Sequence, residues 1–407
     1  MTGIEKLWKF KDGLRHVIPY THMYRTSCKG RWFGRTVYDV YCSEFKNQPP
    51  EYHAMKIKTG RMKLIKNPNS KKHFVEIQGD DLFNTLIETG DKIIHDEHIH
   101  ETPIRDNLFN AETRQRDWSY IFDEPMYLNK PEPGGVTTSG CSIPIIFEDE
   151  NLIVVDKPCG IPVHPTQGYF YNSITEILRQ ETIPSTSSSS LSDNESNKSF
   201  LPCHRIDKLT SGVLMIGKNN EAVSNIKKLM KSKSLEKEYI ARVKGKFPLN
   251  IEYCQDNIVY IYAMKNIVKE YKNPLTYFKR LSYDPILNES TVHCKPVTGF
   301  PHQIRIHLRN LGYPISNDPL YSEGKIYDKI IKSRDEIIDG EQFIEDYVIK
   351  ANSNRDLLDT NLKCQICSKS IYVDPQPSDI ELYLHSLSYQ YENNWRFKTP
   401  LPLWSRI

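Results

Sequence analysis

The chain has 407 residues, enough for two or three domains that each bury their own core, with 38% hydrophobic and 26% charged residues. No apolar run is long enough to span a bilayer, which excludes a helical membrane protein, and a formal net charge of +3 neither marks nor excludes a polyanionic partner. Nine scattered cysteines, an odd number, point to reduced thiols in a cytosolic-type compartment rather than to a disulfide framework.

Residues 1–33 form a basic arm in which Lys6, Lys9, Lys11, Arg15, Arg25, Lys29 and Arg31 outnumber Glu5 and Asp12. Trp8, Phe10, Tyr20, Tyr24, Trp32 and Phe33 lie among the charges. Cations attract phosphates and rings accept unstacked bases, so such an arm suits RNA; an ordinary solvated basic surface explains it equally well. Residues 34–45 place Val37, Val40 and Tyr41 on one helical face. A second helical segment, Tyr52 to Lys58, leads through Gly60 into the strand-like Arg61 to Lys66. Two helices and a small hairpin suggest an S4-like RNA-binding module over 34–110, followed by a Pro- and Gly-rich linker over 111–142.

From residue 143 the texture changes. Ile145-Ile146-Phe147 and Leu152-Ile153-Val154-Val155 are short apolar runs bounded by turn formers, as strands are. Residues 184–200 are a low-complexity, Ser-rich stretch that cannot bury enough apolar surface to order itself, and are expected to be a disordered insertion. Val213 to Ile216 is a buried strand, followed by a helix with Ala222, Ile226, Leu229 and Met230 on one face. Strands follow at 239–243 and near 258–263, then a helix from about His302 to Leu311 with Gly312 as its stop. The class expected over 143–404 is α+β, with a mixed, mostly antiparallel sheet and a small N-terminal α/β module ahead of it.

The chemistry concentrates in His204-Arg205-Ile206-Asp207-Lys208-Leu209-Thr210-Ser211-Gly212, just before the 213–216 strand. Flanking cations favour an ionised Asp207, suited to nucleophilic attack or to stabilising an oxocarbenium-like sugar, whereas an isolated Asp in a loop is more often a turn residue. This segment resembles the catalytic motif of the RluA-like pseudouridine synthases. Three further stretches resemble that family in the right order: Asp149 to Pro158 with Gly160 to Pro165, Lys237 to Ala241, and Thr298 to His307. Leu311 to Ile315, Asp318 to Tyr321, Leu384 to Ser386 and Trp395 to Pro402 continue the likeness.

The resemblance implies isomerisation of uridine to pseudouridine in RNA, with no cofactor and no metal, by a monomer that needs no membrane. Asp207 would be the essential carboxylate. Tyr239 would stack on the extruded uridine and take the C5 proton, and Arg305 would pair with Asp207 and hold it ionised. Arg205, Thr210, His302 and Gln303 would contact substrate, Arg205 by helping to hold the base out of its stack. Phe300-Pro301 departs from the family, which has Arg after Thr298-Gly299, and removes a cation beside the site. In the N-terminal region, Pro19-Tyr20, Lys29 to Trp32, Asp39 to Phe45, Gly90-Asp91 and His98 to Pro103 look like eukaryotic, fungal-type members that modify tRNA. The expected target is an anticodon-stem uridine, position 31 before 32. The expected compartment is the cytoplasm, with a mitochondrial pool as the alternative.

Two other classes compete: a catalytically inactive RNA-binding protein and a zinc-binding RNA-processing protein. Cys364-Gln365-Ile366-Cys367 has ligand spacing, but two cysteines do not complete a tetrahedral site and no second Cys pair follows the pattern, so free thiols are expected. His95 to Glu101 is donor-rich and reads as an exposed RNA-facing or structural strand. His95-Asp96-Glu97 fits a zinc deaminase only superficially, and Cys203-His204, as neighbours in a strand, point apart and make no hydrolase dyad.

Overall fold

The structure, a computed structural model, describes residues 7–45, 49–66, 75–105, 143–166, 168–182, 199–262, 267–325, 327, 329–336, 358–367 and 369–406. The chain divides into two compact units, Ile18–His100 with Cys364–Lys369, and Met1–Val17 with Glu101–Lys363 and Ser370–Ile407.

Strands β1 (Trp8–Lys11) and β2 (Leu14–Val17) open the larger unit as a hairpin. The smaller unit follows with β3 (Tyr20–Ser27), α1 (Val37–Glu44), α2 (Pro50–Lys58), β4 (Met62–Lys66), β5 (Val75–Gln78) and β6 (Lys92–Ile99). Its four strands form an antiparallel sheet in the order β3-β6-β4-β5. Helix α1 starts where Thr36 Oγ1 accepts the Asp39 N–H at 3.2 Å, a cap of about 1 kcal/mol, and α2 starts on Pro50, whose fixed φ suits a first helical turn. Val37, Val40 and Tyr41 turn inward from α1 and pack with Trp32, Ile57 and Leu64 in the unit's core.

The expected boundaries at 33 and 110 shift accordingly, and the basic arm is not one element. Its first part joins the larger unit because β2 pairs with β7 (Ile104–Arg105). Its second part is an edge strand of the smaller sheet. Part of its charge is already engaged: Arg15 is 3% exposed and Arg31 pairs with Glu44 at 2.7 Å. The expected linker lies outside the described residues, as does the expected insertion apart from Ser199 and Phe200.

The larger unit continues with β8 (Ile145–Glu148), β9 (Leu152–Lys157), α3 (Ile174–Thr182), β10 (Leu201–Pro202), β11 (Ser211–Gly217), α4 (Asn220–Lys231) and β12 (Leu235–Lys244). Then come β13 (Tyr253–Cys254), β14 (Ile258–Tyr262), β15 (Ile267–Tyr271), β16 (Thr276–Asp284), β17 (Glu289–Pro296) and α5 (Gln303–Asn310). Hairpin β18 (Leu358–Lys363) and β19 (Ser370–Tyr372) precede β20 (Leu384–Tyr391) and β21 (Trp395–Lys398).

A ten-stranded sheet runs β13-β16-β17-β12-β20-β11-β9-β8, with β10 beside β11 and β21 beside β20. Among the described residues its one parallel pair is β11 with β20, so the fold is α+β with a mixed, mostly antiparallel sheet. Strand β11 is buried from end to end: Leu214 and Ile216 enter one core cluster, Val213 and Met215 another, because alternate residues face opposite sides of a sheet. Gly212 has a φ of +106° where β11 meets β20, and a Cβ there would run into the Ser386 carbonyl. Glycine alone permits that approach, which fixes the end of the loop carrying Asp207.

Candidate active site

Asp207 lies in the loop entering β11, where its carbonyl accepts the Thr210 N–H at 3.1 Å. Lys157, at the end of β9 and 0% exposed, spans the base of this loop by donating to the carbonyls of Pro158, Ile161 and Lys208 at 2.8, 2.8 and 2.9 Å. Burial pushes its pKa down to about 7, while three carbonyl acceptors favour the ammonium form.

Helix α5 brings the partner charge. Arg305, 3% exposed, donates Nη1 to Asp207 Oδ2 at 2.9 Å. Its Nε and Nη2 grip both oxygens of Asp318 at 2.8 Å each. Asp318 Oδ1 also accepts the N–H groups of Leu320 and Tyr321 at 2.9 and 3.1 Å. The guanidinium is thereby fixed on one side and offers its remaining nitrogen to Asp207 on the other.

His302 closes the circuit. It sits left-handed at φ 53° as the N-cap of α5, a conformation costing a non-glycine residue about 1–2 kcal/mol. Its Nδ1 meets the Tyr321 hydroxyl at 2.8 Å and its Nε2 faces Asp207 Oδ2 at 3.6 Å. With Tyr321 donating to Nδ1, the remaining proton is on Nε2, toward the carboxylate.

Burial alone would raise the Asp207 pKa, but His302, Arg305 and Lys157 outweigh it and hold the carboxyl below its ordinary value. Burial pushes His302 down to about 4, so near neutrality that ring is uncharged and Arg305 is the principal cation. Burial would likewise depress Arg305, but Asp318 and Asp207 more than offset it.

Tyr239, on β12 beside a bulge at Glu238, lines the same cavity as Asp207. Its hydroxyl meets that of Tyr389 at 2.8 Å, and Tyr389 in turn lies 3.5 Å from His204 Nδ1. The Met215 N–H donates to His204 Nε2 at 3.1 Å, which leaves the proton of the neutral ring on Nδ1. His204 can therefore donate to the Tyr389 oxygen, which leaves the Tyr389 hydroxyl proton free to turn toward Tyr239. Burial raises the Tyr239 pKa, while its bonds to Tyr389 and Ser386 work the other way.

The cavity measures about 700 Å³, within the range of small-ligand sites, and Asp207, Arg205, Lys237, Tyr239, Phe300 and His302 are among its walls. Phe300 stacks on Tyr271 with centroids 4.9 Å apart, forming an apolar aromatic face. The cation missing from position 300 has a counterpart. Lys237 Nζ donates to the Thr298 carbonyl at 2.9 Å and would lie 3.6 Å from a Cβ on Gly299.

The predicted residues come together. Asp207, Arg305 and His302 form one circuit, and Tyr239, the exposed Arg205, Gln303 and Thr210 line the same cavity. Gln303 and Thr210 also brace the loops that carry the site. Gln303 is 4% exposed and its amide is taken up by the Leu275 carbonyl, Thr276 Oγ1, Thr298 Oγ1 and the Phe300 N–H, so it shapes the 298–303 loop. Thr210 is 2% exposed at the loop's turn. Lys157, Lys237, Asp318, Tyr321 and Tyr389 went unassigned in the sequence reading, although all but Tyr389 stand in stretches that carry the family likeness. Cys203 is buried with its thiol pushed up to about 11, and His204 is bonded elsewhere, so the two make no nucleophile pair. Asp318 is fully buried against Arg305, so this circuit shows the cavity a single carboxylate, unlike a two-carboxylate glycosidase.

An ionised carboxylate, clamped by arginine in a nucleotide-sized cavity with a tyrosine and an aromatic wall, defines a site for nucleophilic or electrostatic work at a sugar or base. The family model for RNA pseudouridylate synthase matches residues 151–310, which contain Asp207, Tyr239 and Arg305. A mitochondrial tRNA pseudouridine(32) synthase of Saccharomyces cerevisiae is 32% identical over 97% of this chain and 78% of its own length. A tRNA pseudouridine(31) synthase of the same yeast is 32% identical over 98% of this chain and 96% of its own. Among solved structures, human RNA pseudouridylate synthase domain containing 4 is 20% identical, covering 64% of this chain and 89% of its own with a TM-score of 0.41, too loose to argue from. The chain belongs to the RNA pseudouridylate synthase family, in its RluA-like branch, and is an isomerase of RNA uridine.

Proposed function

We propose that this protein converts a uridine in the anticodon stem of tRNA to pseudouridine, at position 31 in preference to 32. The observation that carries the reading is the Asp207–Arg305–Asp318 circuit, which keeps one carboxylate ionised at the cavity wall. The tRNA substrate follows from the two yeast relatives, and position 31 is put first because the chain spans 96% of the position-31 relative against 78% of the position-32 one.

The uridine leaves its stack, since its reacting atoms are inaccessible inside a helix. The C1′–N1 bond breaks, the uracil turns, C1′ bonds to C5, the C5 proton departs and N1 regains a proton. Atoms and electrons balance, so the isomerisation needs no redox cofactor. Asp207 acts as the carboxylate that adds to the base or assists glycosidic cleavage, and Arg305 holds it ionised. Tyr239 stacks on the base and takes the C5 proton while releasing its own hydroxyl proton for return to N1, with Tyr389 and His204 ordering its hydrogen bonds. Arg205 holds the base out of its stack. The smaller unit serves as an S4-like RNA-binding module, and the enzyme works as a monomer in the cytoplasm; fractionation against a mitochondrial marker tests the compartment.

The test is purified protein on an unmodified tRNA transcript, read by carbodiimide primer stops. The expected result is one stop at position 31. A stop at 32 alone corrects the position, and no stop on any tRNA overturns the function.

A further inference from the structure

We infer that His98, His100, Cys364 and Cys367 of the smaller unit form a closed, structural zinc site. The four ligand atoms lie within 4.8 Å of one another. Zinc bonds of about 2.3 Å to sulfur and about 2.0–2.1 Å to nitrogen, at tetrahedral angles, set a sulfur–nitrogen edge of about 3.6 Å. Cys364 Sγ is 3.6 Å from His98 Nδ1, and Cys367 Sγ is 3.3 Å from His100 Nε2. Both edges fit a tetrahedron around one ion.

The local backbone explains how the set assembles. His98 and His100 are two residues apart at the end of β6, so their side chains leave the same face, and their rings meet edge to face with centroids 4.8 Å apart. Cys364 to Cys367 is a tight turn closed by the Cys364 N–H donating to the Lys369 carbonyl at 2.9 Å. Within it the Ile366 N–H points at Cys364 Sγ at 3.3 Å, the type of amide contact that supports a metal-bound thiolate.

Donor chemistry selects the ion. Two thiolates and two imidazoles suit zinc, whereas magnesium and calcium require oxygen ligands that this set lacks. The thiolates neutralise the ion's charge. The nearby cations are engaged already, Arg61 by Asp96 at 2.8 Å and Lys369 by Glu97 at 3.0 Å. Four protein ligands leave no position for a reactive water, so the ion stabilises the smaller unit and takes no part in the isomerisation. The site departs from the expectation of free thiols at Cys364 and Cys367 because the ligand pair that would complete it is histidine, 266 residues away for His98 and Cys364.

The experiment is elemental analysis of untagged full-length protein purified without chelator. About one zinc per chain is expected, with near-complete loss in C364S/C367S. Folding is controlled by titrating native wild type with a mercurial in the presence of a zinc-sensing dye, where thiol capture should release about one equivalent. Cobalt exchange should give the intense visible bands of a tetrahedral thiolate site. Wild type that carries no zinc and takes up no cobalt, zinc retained in C364S/C367S, or a Cys364–Cys367 disulfide in freshly purified protein would each overturn the site.

Discussion

Each unit buries an ion network, and the two are near mirror images. In the larger one a cation, Arg305, sits between the carboxylates Asp207 and Asp318. In the smaller one a carboxylate, Glu97, sits between the cations Lys56 at 2.8 Å and Lys369 at 3.0 Å. The difference is where the unshared capacity points. Asp207 is 28% exposed and lines a cavity, so its free lone pairs can meet a substrate. Glu97 spends its second oxygen on Lys369 and the Tyr52 hydroxyl, and Lys56, 0% exposed, spends its remaining reach on His95 Nδ1 at 3.1 Å. A network closed on itself specifies a fold; one left open at a cavity can act on something else.

Breaking the open end should produce the largest effect on function and the smallest on structure. Asp207→Ala should lower turnover at least about 10³-fold in the primer-stop assay, with tRNA affinity within a few-fold of wild type and unchanged circular dichroism. Persisting pseudouridine would remove Asp207 from the chemistry. Arg305→Met strikes the closed end of the same network and leaves Asp318 buried without its counter-charge. Stability should fall by about 3–5 kcal/mol in urea titration, with activity lost as well. A change below about 1 kcal/mol would mean that Asp318 finds another partner.

The same contrast shows what the sequence could and could not reveal. Asp207, Tyr239 and Arg305 stand in contiguous motifs, so local pattern locates them, and the class and the main helices and strands follow from periodicity. Gln303 and Thr210 stand in the same motifs and line the cavity, but polarity alone did not reveal that Gln303 also spends hydrogen bonds on its own loop. The basic arm stayed open between an RNA-facing and an ordinary solvated surface for a similar reason: composition counts charges, but only the fold shows Arg31 answering Glu44. Spacing marked the Cys364–Cys367 half of the histidine and cysteine cluster, but not its meeting with His98 and His100, since such rules assume ligands from neighbouring turns.

In the smaller network, Lys56→Met should cost about 1–3 kcal/mol, because one Glu97 oxygen and His95 Nδ1 lose a donor while Lys369 still compensates the charge. Turnover of the folded fraction at saturating tRNA should not change. A turnover defect at full occupancy would mean that this closed network also serves catalysis.

The smallest effect concerns Lys237, the cation standing near the place where the family carries arginine. Burial, helped by Lys233, depresses its pKa to about 8. Below that pH it is an ammonium able to meet a phosphate; above it the charge is lost, so tRNA affinity should weaken a few-fold as pH rises through about 8. Lys237→Met should remove this pH step and reduce the salt dependence of binding by about one phosphate contact, while Asp207 chemistry continues on bound RNA. Binding isotherms at two pH values and several salt concentrations measure both quantities. If wild type and variant show the same salt slope, Lys237 only braces the Thr298 carbonyl, and the aromatic pair Phe300 and Tyr271 takes the place of the absent arginine by stacking alone.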